Sequence, residues 1–124
     1  MDRIFIIIGS VVMFLAVGFG AFGTHALSDY FLDNPDLKSS YDTAVRYQVI
    51  HGLAIFAAAW VVQRWPVTSA SIAGWLFVLG IVLFSGSLYI LVLSGLGWMG
   101  AITPIGGLCF LAGWVLIAVT AWRN

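Results

Sequence analysis

Long apolar stretches alternate with short polar ones along this chain. No ionisable residue lies between Ile4 and Phe22, and no charged residue lies between Trp65 and Trp122. A helix needs about 20 apolar residues to cross the hydrocarbon core of a bilayer, so the first stretch predicts one span and the second is too long for one. The glycine-rich segment SGLGWMG, residues 94–100, divides the second stretch in two.

Two short motifs predict where helices begin. In NPD, residues 34–36, a capping amide precedes a proline and an acidic residue, a pattern typical of a helix N-terminus. Thr103-Pro104 repeats the cap and the proline. The second helix is expected to begin outside the membrane, near the proline. The four predicted helices cover approximately residues 3–27, 35–63, 69–94 and 103–122.

The composition indicates that the folded chain is surrounded by lipid and not by water. Of 124 residues, 62% are hydrophobic and 8% are charged, whereas soluble domains carry about 25% charged residues. The predicted fold is therefore an all-α integral membrane four-helix bundle, formed by residues 1–124 as a single domain with the lipid bilayer as its partner. A short polar extracytoplasmic segment joins the first two helices, and Asp42 is expected to pair with Arg46 on the surface of the second helix. The formal net charge is zero, which argues against a nucleic-acid-binding surface.

The positions of the basic residues predict an orientation. Arg3, Arg64 and Arg123 fall at one side of the predicted spans, and Lys38 and Arg46 fall at the other. Because basic residues favour the cytoplasmic side, we expect a multi-pass protein of the inner (plasma) membrane with both termini in the cytoplasm. Tryptophans prefer the membrane boundary, and four of them cluster at the predicted inner boundary: Trp60, Trp65, Trp75 and Trp122.

Small residues recur along the predicted helices. Residues 18–23 and 95–100 match a G-x-G-x-x-G nucleotide-binding pattern as text, but both lie in apolar segments without the strand and the acidic residue that this chemistry needs. Small residues at helical spacing instead favour close packing between helices in lipid. Such a seam is predicted along the first helix at Gly9, Ala16, Gly20 and Gly23. It serves either the bundle itself or a homo-oligomer.

Polar side chains within the spans form the candidate site. Counted at about 1.5 Å per residue, they fall in the outer half of the membrane on all four helices. We therefore predict one polar cluster that contains both histidines, His25 and His51. The candidate ligand-binding residues are His25, Tyr47, Gln48, His51, Ser85, Ser87, Tyr89 and Thr103. The alternative is that Ser85, Ser87, Gln48 and His51 only form hydrogen bonds between helices and that His25 is an interfacial end-cap.

Three functions are compatible with this cluster. The first is a binding or accessory membrane protein that receives a small polar ligand or a lipid headgroup. The second is a membrane enzyme, proton relay or transport component that uses His51, with Tyr47 and His25 assisting. The third is a structural subunit of a larger membrane complex. Catalytic residues and cofactors are not identified by the sequence: His51 could serve as a haem ligand, and two histidines with one cysteine make a poor metal site.

Four ordered motifs resemble a known family. They are GAFGTHAL (20–27), YQVIHGLAI (47–55), LFSGSLYIL (83–91) and TPIGGLCFLAGW (103–114). They are similar to the YgdD/YwdK family, small bacterial integral membrane proteins of the domain of unknown function 423 with eukaryotic relatives. The resemblance covers essentially the whole chain and implies a four-span membrane protein, with no established reaction or site residue to transfer. Thr24 departs from the alanine that is expected there more often.

Overall fold

The fold is all-helical, as predicted. A computed structural model describes residues 1–124, and four of its helices are long and apolar enough to cross a membrane. In chain order the helices are α1 (Asp2–His25), α2 (Ser28–Asp33), α3 (Pro35–Arg64), α4 (Thr68–Ser94) and α5 (Thr103–Arg123). A 3₁₀ turn over Gly97–Ala101 precedes α5. Because α3 and α5 both start next to a proline and α4 ends before Gly95 with a φ of 74°, the sequence signals for breaks correspond to real helix ends.

The predicted helix caps differ from the observed ones. The Asn34 side chain does not cap α3; its amide donates to the Tyr30 carbonyl at 2.9 Å. Thr103 is the first residue of α5 and not its N-cap, which is Ile102. The Asn34 amide instead bonds the preceding helical turn, and the Thr103 hydroxyl bonds Ser87 of α4. The starts of α3 and α5 are set by the fixed φ of their prolines.

The segment between α1 and α3 is ordered as a short helix. Phe31 of α2 is buried against Tyr41, and the Tyr30 hydroxyl donates to the Val92 carbonyl at 2.8 Å. The predicted pair of Asp42 with Arg46 is not formed, because Asp42 contacts Lys38 at 2.6 Å. We call this end of the bundle the α2 end, and the opposite end, which holds both chain termini, the termini end.

Two of the four long helices form the centre of the bundle and two lie at its edges. α3 and α4 pack along each other at the centre, α1 packs chiefly on α3, and α5 packs chiefly on α4. The central core joins Phe5 of α1 to Ile55 of α3, Phe77 of α4 and Phe110 of α5. As a result, α3 and α4 hold most of the buried residues, while α1 and α5 present large apolar side chains outwards.

Glycines make these close contacts possible. The face of α1 that carries Gly9 and Gly23 packs on α3, as its small residues predict. A Cβ on Gly113 would lie 2.6 Å from a ring carbon of Phe77, and one on Gly52 would lie 2.7 Å from the Met13 sulfur. Neither distance is tolerable for real atoms, so these seams are used within the bundle.

Candidate functional site

The predicted polar residues do not form one cluster. The first group is centred on Gln48, a buried residue of α3. Its amide nitrogen donates to the Val12 carbonyl of α1 at 3.0 Å, and its oxygen accepts from the Tyr89 hydroxyl of α4 at 2.6 Å. One side chain thereby ties three helices together and uses one of its two N–H donors and one of its two oxygen lone pairs.

The two predicted serines point to different helices. The buried Ser85 hydroxyl donates to the Ala44 carbonyl of α3 at 2.7 Å. The Ser87 hydroxyl lies 2.6 Å from the Thr103 hydroxyl at the start of α5. These contacts fasten α4 to both of its neighbours, and no buried side-chain nitrogen or oxygen lacks a partner. The interhelical role that was the alternative for these residues is therefore the one their geometry supports.

His51 has both ring nitrogens occupied. It is 4% exposed, and its Nδ1 lies 3.0 Å from the Tyr47 carbonyl while its Nε2 lies 3.1 Å from the Trp114 indole nitrogen. A carbonyl can only accept and an indole N–H can only donate. The contacts therefore fix a neutral imidazole with its proton on Nδ1 and the Nε2 lone pair facing Trp114.

This tautomer bears on the chemistry open to His51. The ring also stacks on Phe110, with centroids 3.5 Å apart and planes 9° apart. An axial haem ligand needs a free nitrogen lone pair, and a proton relay needs a ring that can exchange its proton with a second group. Both would require the bond to Trp114 to break, so the geometry favours a clamp between α3 and α5.

A groove opens beside this clamp, on the side of the bundle where α3 and α5 meet. We call it the α3–α5 groove; its volume is about 450 Å³. The Tyr47 side chain is 36% exposed in it, and its ring lies 4.5 Å from the ring of Phe84, centroid to centroid. The lining residues are Tyr47, His51, Phe84, Pro104, Gly107, Leu108, Phe110, Leu111 and Trp114.

Tyr47 is the member of the predicted set that keeps a free polar group within a span. The side chains of the other spanning candidates all form hydrogen bonds within the chain, with backbone carbonyls or with other side chains: Gln48, His51, Ser85, Ser87, Tyr89 and Thr103. The Tyr47 hydroxyl forms no hydrogen bond with the protein. Tyr47 lies four residues closer to the start of α3 than His51, so it marks the end of the groove that is nearer the α2 end.

The predicted association of His25 with His51 is wrong. His25 is exposed at the last residue of α1. It follows Gly23 by two residues, which on a helix is a rotation of about 200° away from the face that packs on α3. The two residues also differ in depth, because Gly52, next to His51, packs against Met13 in the middle of α1, whereas His25 is the last residue of that helix.

Sequence reasoning missed two features. Trp114 was not selected, although an indole N–H in the middle of a span must find an acceptor and His51 was an available one. The second is a pocket of about 530 Å³ at the α2 end, between α1, α2 and α3. We call it the α2-end pocket; its polar lining is Thr24, Ser28, Lys38, Asp42 and Arg46, and its apolar lining includes Phe31, Leu32 and Val45.

Comparison with known proteins places the chain in a family. The family described as "Protein of unknown function (DUF423)" matches residues 19–107. The chain is 42% identical to the UPF0382 membrane protein YwdK of Bacillus subtilis, over 96% of each chain. It is also 42% identical to a UPF0382 membrane protein of Staphylococcus haemolyticus, over 98% of this chain and 97% of the relative. No solved structure matches. The chain therefore belongs to the DUF423 family of UPF0382 membrane proteins.

Proposed function

We propose that this protein is an accessory membrane protein that binds a neutral lipid-like molecule in the α3–α5 groove. The observation that carries the proposal is the free hydroxyl of Tyr47, which stands in an apolar groove while the other polar side chains predicted within the spans are paired. A hydroxyl without a partner in hydrocarbon costs several kcal/mol, roughly 2–7 depending on the reference state. An acceptor group on a bound molecule would remove that cost.

The shape and chemistry of the groove support a ligand of this class. Ligand pockets of about 300–1,000 Å³ are mostly apolar with a few polar groups that fix orientation. Here Leu108, Leu111 and Trp114 supply apolar surface, and Tyr47 supplies one donor. No charged residue lines the groove, so the ligand would be neutral, with an apolar body beside α5 and an acceptor oxygen near Tyr47.

The orientation of the groove forms part of the proposal. We place the protein in the plasma membrane with both termini in the cytoplasm, because Arg3, Arg64 and Arg123 all lie at the termini end. The Tyr47 end of the groove then faces the outer leaflet. Its ligand would enter sideways from that leaflet, where the exposed Leu108 and Leu111 border the groove.

Two matched glycine substitutions test the proposal. A Cβ on Gly107 would meet only Phe84, at 3.9 Å, and one on Gly18, on α1, would meet nothing within 4 Å. Both positions therefore accept a larger side chain, but Gly107→Leu fills the α3–α5 groove and Gly18→Leu does not. The measurement is native mass spectrometry of protein released from its own membranes, with extraction and mass analysis of the retained small molecules.

We expect wild-type protein and Gly18→Leu to retain the same neutral molecule and Gly107→Leu to lose it. Tyr47→Phe should retain about tenfold less, because a hydrogen bond in a desolvated site is worth roughly 0.5–1.5 kcal/mol and the variant also leaves an acceptor unpaired. Equal retention by all four proteins, or retention by none, would contradict groove binding and leave a structural subunit as the better description.

A further inference from the structure

The α2-end pocket combines a charged rim with an apolar floor. Its rim carries the side chains of Lys38, Asp42 and Arg46, and the floor lies over Gly20 and Gly23 of α1. Gly20 leaves a depression beside α3, because a Cβ placed there would meet only Val45, at 3.7 Å, whereas the Tyr41 ring fills the corresponding space at Gly23. The pocket thus lies at the level where the apolar residues of α1 give way to charged residues of α3.

The charges of the rim are unequal. Asp42 is paired with Lys38 at 2.6 Å, and Arg46 has no ion-pair partner in the chain. The rim therefore carries two positive charges and one negative charge. The remaining acids of this end do not line the pocket: Asp29, Asp33 and Asp36. A guanidinium without a partner presents several N–H donors in a planar fork that matches phosphate oxygens.

Hydroxyl groups extend this surface on the side of α1 and α2. Thr24 donates to the Gly20 carbonyl at 3.1 Å, and Ser28 lies 3.4 Å from the His25 carbonyl. Both are exposed on the pocket rim. Phe31, Leu32 and Val45 continue the lining as apolar surface directly beside these polar groups.

We propose that the α2-end pocket binds the phosphate group of a phospholipid, with Arg46 as the principal contact and Lys38 as the second. The glycerol backbone and the first carbons of the acyl chains lie on the apolar lining at Val45 and Leu32. This site shares no residue with the α3–α5 groove and takes an anionic group, so it is independent of the function proposed above.

The same rim chemistry would also suit free phosphate, and the experiment separates the two sources. Protein is purified in a maltoside detergent, which carries no phosphate, and native mass spectrometry measures binding of three probes. These are a phosphatidylglycerol, the matching diacylglycerol, which lacks the headgroup, and inorganic phosphate. The variants are Arg46→Gln and Lys38→Gln. Arg64→Gln is the control, since Arg64 lies at the termini end and packs over Trp65 at 5.4 Å.

We expect phosphatidylglycerol to bind wild-type protein and Arg64→Gln equally, and Arg46→Gln about tenfold more weakly, which corresponds to about 1.4 kcal/mol, because the neutral amide cannot replace the charged hydrogen bonds of the guanidinium. Lys38→Gln should weaken binding less, because its ammonium is shared with Asp42. Arg46 is exposed, so its substitution leaves the bundle intact, which circular dichroism checks.

The remaining outcomes also decide the matter. If inorganic phosphate binds as tightly as the lipid and binds Arg46→Gln more weakly, the pocket is a phosphate site whose ligand is the free ion. Binding of diacylglycerol equal to that of phosphatidylglycerol refutes a phosphate site. Binding of phosphatidylglycerol that is unchanged in Arg46→Gln, or equally reduced in Arg64→Gln, refutes it as well.

Discussion

The link from Gln48 to Tyr89 predicts a measurable coupling between α3 and α4. Tyr89→Phe removes the hydroxyl that donates to Gln48 at 2.6 Å and keeps the ring that packs on Phe19 and Tyr41. Gln48→Met keeps the length of the side chain and removes both of its hydrogen bonds, including the one to the Val12 carbonyl. The wild-type protein, the two single variants and the double variant together form a double-mutant cycle.

The structure sets the expected magnitudes. A side-chain hydrogen bond between membrane helices is worth about 0.6 kcal/mol on average and up to about 1.7 kcal/mol. Tyr89→Phe loses one such bond, so its free energy of unfolding should fall by about 0.6–1.7 kcal/mol. Gln48→Met loses two and leaves the Tyr89 hydroxyl unpaired, so it should fall by about 1–3.5 kcal/mol. The coupling should equal the single shared bond, about 0.6–1.7 kcal/mol.

Reversible unfolding in mixed micelles of a maltoside and dodecyl sulfate measures these free energies. Tyr30→Phe provides the matched control, because its hydroxyl donates to Val92 and shares no partner with Gln48. Its effect should add to that of Gln48→Met within about 0.5 kcal/mol. A coupling between Gln48 and Tyr89 that is no larger than this control value would refute the bond as a source of stability.

Three further predictions concern packing, protonation and topology. Gly113→Ala should lower the free energy of unfolding by about 1–3 kcal/mol, because its Cβ overlaps Phe77; in the same micelles Gly18→Ala should be nearly neutral, and equal effects would contradict the assigned seam. Nitrogen-15 NMR of His51 should show the Nδ1–H tautomer, and a proton on Nε2 would contradict the bond from Trp114. In a cysteine-free background of intact cells, an impermeant maleimide should label Ser39→Cys and spare Asn124→Cys; labelling of both would refute the four-span topology.

The helical framework was predictable because each break has a chemical cause in the sequence. Pro35 and Pro104 cannot donate a backbone hydrogen bond inside a helix, and Gly95 adopts the left-handed conformation that ends α4. The short helix α2 was not predicted, since its helical state depends on burial of Phe31 against Tyr41. Sequence periodicity describes one segment at a time, so it does not show a contact between two segments such as this one.

The site was less predictable than the fold. Counting along each helix correctly gives Gln48 and Tyr89 a similar depth, but their partners depend on how neighbouring helices are rotated. Gln48 bonds the carbonyl of Val12, a residue without a polar side chain, and no sequence pattern marks such an acceptor. The pairing of Asp42 was missed for a simpler reason: Lys38 and Arg46 are both four residues away, and the spacing rule is symmetrical.

The central position of α3 has a consequence for membrane insertion. Its mean hydropathy over the span is 1.4, against 2.6 for both α1 and α4, so it is the helix least able to remain in lipid alone. α1 is apolar enough to remain in the bilayer alone, whereas the polar side chains of α3 are shielded from lipid only when α1 and α4 flank it. Stable insertion of α3 is therefore expected to depend on its packing partners, so that α3 and α4 enter the bilayer together as a helical hairpin.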